Sequence, residues 1–96
     1  MKSYRLSVLA RLDLIEIWNY SRDQWGERRA EAYLRSIQTT IETVANNPHA
    51  GGRDDALRKG YRRRAVQSHV IFYRAERGVE IVRVLHQSMD AKSHLG

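Results

Sequence analysis

Residues His69 to Asp90 read HVIFYRAERGVEIVRVLHQSMD, two runs of β-branched and aromatic residues on either side of Glu76-Arg77-Gly78. A short glycine-containing break between two such runs is the pattern of a β-hairpin. An isolated hairpin is marginal in water, and one this rich in Val and Ile needs another layer to cover it. That requirement constrains the rest of the chain, which must supply the cover.

The first half can do so. Ser7 is placed to cap a helix running to about Trp25, its hydroxyl accepting a first-turn N–H. Along that helix Val8, Leu12, Ile15 and Trp18 or Asn19 form a stripe, and Leu14, Ile17 and Tyr20 widen it beyond what one face needs. Gly26 breaks the pattern. A second helix from about Glu27 to Ala45 has a cleaner stripe: Ala30, Tyr33, Leu34, Ile37, Ile41, Val44 and Ala45. So tight a break predicts an antiparallel helical hairpin. Pro48 ends the second helix, and 49–57, with Gly51 and Gly52, reads as a loop.

Tyr61–Gln67 is a further strand, and Tyr4–Leu6 a short first one. The predicted order is β-α-α-β-β-β, an α+β fold in which a helical hairpin packs on one face of a small, mostly antiparallel sheet. Whether Tyr4–Leu6 lies parallel to the last strand or at an edge is left open. With 96 residues, one domain over 1–96 is expected. There is no Cys, so a disulfide framework and thiolate metal sites are excluded. No apolar leader and no membrane-spanning run is visible, and the expected location is the cytoplasm, without membrane contact.

The net charge of +6 favours an acidic partner, either nucleic acid or an acidic protein segment. Arg58, Lys59, Arg62, Arg63 and Arg64 fall within seven residues, and Arg74 and Arg83 follow on neighbouring strands. On one sheet face they would make a cationic patch able to hold phosphate; the alternative is a charged edge strand that resists aggregation. His86 beside arginines could serve as general acid or base, with Tyr61 and Tyr73 helping, or could simply bond the tail backbone. His49 and His94 have no ligand spacing, so no metal site and no cofactor are expected. Asp13, Glu16, Asp23, Glu27, Glu31 and Glu42 read as a solvated helical face. Trp18, Tyr20, Trp25 and Tyr33 read mainly as core. The surplus apolar strip on the first helix would take an amphipathic partner segment.

YRLS, DLIEIW, a helix after QWG, NP before a glycine-rich loop, GYR, SHVIFYR and VEIVRVLHQSMD occur in that order through nearly the whole chain. This pattern resembles ParE toxins of the RelE/ParE superfamily, the toxins of bacterial type II toxin–antitoxin pairs. The resemblance implies a helical hairpin on an antiparallel sheet, and poisoning of DNA gyrase so that cleaved DNA persists. RelE-type relatives instead cut mRNA on the ribosome. In that alternative His86, Arg62, Arg64 and Arg83 would be catalytic, although the match to the RelE lysines, through Lys59, Arg62 and Arg64, is loose. A third alternative is a non-toxic module that only binds antitoxin. The resemblance also implies a ParD-like antitoxin in a hetero-oligomer, which reaches operator DNA only through the antitoxin. Leu14, Trp18 and Tyr33 would line its groove, and Arg58, Arg62, Arg64, Arg74 and Arg83 would face its acidic residues. Met89, Asp90 and Leu95 of the tail would contact the target.

Overall fold

A computed structural model describes residues 4–95. Strand β1 (Tyr4–Leu6) leads into helix α1 (Val8–Trp25), and helix α2 (Glu27–Asn46) follows after the single residue Gly26. Gly26 has φ +91°, a conformation in which a side chain would be strained, and its N–H closes α1 on the Arg22 carbonyl at 2.9 Å. A 3₁₀ turn at Pro48–Ala50 precedes β2 (Gly52–Arg53), β3 (Tyr61–Val66), β4 (His69–Ala75), β5 (Val79–His86) and a short helix α3 (Ala91–Leu95). The sheet order is β1-β5-β4-β3-β2, with β1 parallel to β5 and every other pair antiparallel. The expected α+β hairpin-on-sheet fold is therefore present, with β1 as the parallel edge strand. Two elements were not anticipated: β2 inside the expected loop, and α3 inside the expected tail.

One face of the sheet carries the helical hairpin. Ala10 and Ile17 of α1 and Ile37, Ile41 and Val44 of α2 pack on Ile71, Tyr73, Val79, Ile81 and Val84. The opposite face is also covered. Tyr61, Val70, Phe72 and Leu85 form a second cluster closed by Leu95 of α3, with Leu57 and Ala91 beside it. A sheet apolar on both faces needs two covers, and α3 supplies the second with a single buried leucine.

Simple alternation along β5 would put Arg83 on the same face as Val79, Ile81 and Leu85. A register shift interrupts it: Phe72 opposes Arg83 but Tyr73 opposes Ile81, which leaves Val82 without a partner on β4. This bulge changes the parity of the strand. Val79, Ile81 and Val84 join the helix-side core while Leu85 joins the other. Neither core has to accommodate the guanidinium.

Candidate functional site

β1 is too short to cover the whole of β5, and the start of α1 takes over where it ends. Ser7 donates its N–H to the Ile81 carbonyl at 3.0 Å and its hydroxyl to the Val82 carbonyl at 2.7 Å. The same oxygen accepts from the Ala10 N–H, which is the expected helix cap. One turn later Asp13 accepts the Val84 N–H at 2.9 Å and two guanidinium N–H groups of Arg83, each at 2.8 Å. Asp13 and Arg83 side chains are only 12% and 13% exposed. The expectation of a solvated acidic face is thus wrong for Asp13, which holds the otherwise open edge of β5. Its bonds push the Arg83 guanidinium pKa further above its usual value.

The expected arginine patch is dispersed. Arg62 donates to the Gly51 carbonyl at 2.9 Å and meets His49 at 3.1 Å, and Arg64 donates to the Ala50 carbonyl at 2.7 Å. Both fasten the 3₁₀ turn to β3. Arg63, on the other face of β3, pairs with Asp54 and lies over the Phe72 ring. Arg58 donates to the Leu95 carbonyl, and Arg74 pairs with Glu80 at 2.8 Å. Arg83 also donates to the His94 carbonyl. The seven-residue run reads as a cluster in sequence, but Arg62 and Arg64 hold the 3₁₀ turn, Arg63 holds Asp54 and Arg58 reaches the Leu95 carbonyl.

The His86–Arg62–Arg64–Arg83 constellation of the ribonuclease alternative does not assemble. Arg62 and Arg64 sit on β3, two strands away from β5, with Ile71 and Tyr73 of β4 between. Of the expected helpers, Tyr73 is fully buried, donating to the Pro48 carbonyl at 2.6 Å and accepting from the Gly51 N–H at 2.8 Å. Its burial raises the phenol pKa. Tyr61 lies in the outer core. The exposed His86 accepts the Ser88 N–H at its Nδ1, as the structural alternative expected.

The proposed groove is divided as well. Leu14 and Trp18 line a shallow depression between α1 and α2 with Leu34, Arg35 and Gln38. Tyr33 is on the other side of α2, where its hydroxyl meets His69 Nδ1 at 2.6 Å and accepts the Ser68 N–H. Sequence reasoning did not foresee that bond. The signal available was the hairpin register, which sets His69 opposite His86. The His69 pKa is lowered by burial first and by His86 second, with Asp13 opposing. Nor do all four helical aromatics belong to the core, since Tyr20 and Trp25 are 62% and 44% exposed.

The surplus strip on α1 is present on its outer side. Val8, Leu9, Leu12 and Ile15 remain exposed, Leu12 and Ile15 at 48% and 49%. Of the expected tail contacts, Met89 is displayed, while Asp90 caps α3 through Ser93 and the Lys92 N–H. Leu95 is buried against the sheet. Among the described residues no three His, Cys, Asp or Glu gather to hold a metal, and no helix is long and apolar enough to cross a membrane.

Residues 4–91 match the family described as the ParE toxin of the type II toxin–antitoxin system parDE. Toxin ParE1 of Caulobacter vibrioides is 55% identical over 96 residues, the full length of both chains. Toxin ParE1 of Mycobacterium tuberculosis is 45% identical over 94 residues, 96% of each chain. A solved structure described as a chromosomal ParDE TA system from P. aeruginosa superposes with a TM-score of 0.78. It spans 90% of this chain and 96% of its own at 17% identity, a likeness of fold.

Proposed function

We propose a toxin that acts by binding rather than by catalysis, from the premise that this chain belongs to the ParE toxin family of type II toxin–antitoxin systems. The reading is that it poisons DNA gyrase, stabilising the enzyme's cleaved-DNA state, and that a ParD-like antitoxin neutralises it. The observation that carries it is the disposition of the cations. Arg83 is held by Asp13, and Arg62 and Arg64 by the carbonyls of residues 50 and 51. General acid–base cleavage of a phosphodiester needs an acid and a base in reach of one phosphate. Arg62 and Arg64 lie two strands from His86, and Arg83, which lines the same pocket as His86, is already committed to Asp13.

The antitoxin's place is the outer ridge of α1. Val8, Leu12 and Ile15 recur at helical spacing on an exposed side, next to the Leu14–Trp18 depression. An exposed apolar strip of this kind suits the apolar face of an amphipathic helix. The partner segment's acidic residues would meet the basic chain, and operator DNA would be reached through the antitoxin alone.

Incubation with gyrase, supercoiled plasmid and ATP, quenched by denaturant and protease, tests this reading. Linear plasmid is expected. Intact supercoiling without linear product, together with mRNA cleavage on programmed ribosomes, would replace it with the ribonuclease reading.

A further inference from the structure

Tyr20, Trp25, Tyr33, His69 and His86 form one unbroken row of ring contacts, with successive centroids 6.4, 5.7, 5.6 and 5.3 Å apart. The row starts at the end of α1, crosses α2 and finishes where β4 begins and β5 ends. It lines an open pocket of 580 Å³, to which the C-terminal segment adds Met89 and His94. Tyr20 and Trp25 carry more exposed aromatic surface than packing of this fold calls for.

The charge of the pocket is opposite to that of the chain. It is lined by one guanidinium, Arg83, against two carboxylates, Asp13 and Glu16. Asp13 neutralises Arg83 through two bonds of 2.8 Å. Glu16 makes no hydrogen bond or ion pair of its own among the described residues, and its charge acts on Arg83 only through space. Arg83, Asp13 and Glu16 together leave the pocket one net negative charge, on a chain of net +6. Ring faces add negative electrostatic potential of their own.

We propose that this pocket binds an arginine side chain of a protein partner, its guanidinium stacked on Trp25 or Tyr20 and its charge met by Glu16. A planar guanidinium stacks on aromatic faces better than a compact ammonium does. A nucleic acid would also stack, but stacking platforms for bases work with unneutralised cations that follow the backbone. The acidic antitoxin segment suits the rest of this basic surface and is repelled here. Resting on the poisoning reading above, the arginine therefore belongs to the target.

The two tryptophans line different depressions and are expected to give separate indole N–H signals, which makes Trp18 an internal control. Full-length labelled protein at neutral pH is titrated with acetyl-Gly-Arg-Gly-amide. The Trp25 signal is expected to shift saturably while Trp18 stays still. Glu16→Gln should weaken binding by roughly threefold to fivefold, the size of an exposed ion pair, and Trp25→Leu should abolish it. No shift, an equal response to acetyl-Gly-Glu-Gly-amide, or stronger binding of a single-stranded oligonucleotide overturns the proposal. In the gyrase reaction Glu16→Gln should lower the yield of linear plasmid without changing antitoxin affinity, and an undiminished yield also overturns it. A protein that takes the arginine peptide but never linearises plasmid would sink the gyrase reading alone and leave the pocket standing.

Discussion

Asp13 ties α1 to β5, because it satisfies a strand-edge N–H and a mostly buried guanidinium together. Removing one partner of a poorly hydrated pair costs far more than replacing both. Asp13→Ala should therefore destabilise by about 3 kcal/mol in urea unfolding, and Asp13→Leu with Arg83→Met should recover most of the loss. Gly51 is constrained by space, not by backbone angle. A Cβ there would lie 2.8 Å from the Arg63 carbonyl oxygen and closer still to the Tyr73 hydroxyl. Overpacking costs about 1–3 kcal/mol, and Gly51→Ala should show it as a lowered midpoint. His69 gives the protein a pH dependence of definite sign. Its folded pKa lies below the unfolded value of about 6.5, so the unfolded chain protonates first as pH falls. Its contribution is fully present above that value and declines as pH drops through it toward the folded pKa. Unfolding between pH 7.5 and 5.5 should show stability decreasing with acidity, with a flatter profile for His69→Gln.

At the scale of elements, the hairpin and both long helices were legible because each has a strong local pattern and a stop signal, whereas Tyr4–Leu6 was legible as a strand but its parallel pairing with β5 was not. β2 and α3 were not. Two residues of strand have no periodicity to detect, and β2 exists only through its pairing of Gly52 with Arg63 and Arg53 with Arg62. α3 is five residues long and is held by the Asp90 cap, by the buried Leu95, and by Arg58 and Arg83 donating to its last two carbonyls. Its presence gives the tail a structural duty besides any contact with a target. Truncation after Met89 should uncover Phe72 and Val70 and lower the unfolding midpoint, while antitoxin affinity stays within about twofold, since α1 is untouched. Equal loss of both would mean that the fold depends on α3 more than its single leucine implies.

Across the whole molecule, the candidate sites were less legible than the fold, and the reason is physical. A run of like residues says nothing about which carbonyls and carboxylates will satisfy them, so six of the seven cations that looked like one patch, all but Lys59, are each tied to a carbonyl or a carboxylate instead. Tyr33 looked like a companion of Trp18 because both lie in the helical hairpin. In three dimensions it turns toward His69 instead. What survives is a molecule with two distinct exposed surfaces: the apolar ridge of α1, and the aromatic pocket at the ends of β4 and β5. The account assigns neutralisation to the first and toxicity to the second. Leu12→Asp tests that division, because Leu12 is half exposed and outside both cores. The yield of linear plasmid from gyrase would be measured for the wild-type protein and for this variant, each with and without antitoxin. The account predicts that antitoxin silences the wild type while the variant keeps poisoning in its presence. Antitoxin silencing both equally, or a folded variant that no longer poisons, would contradict it.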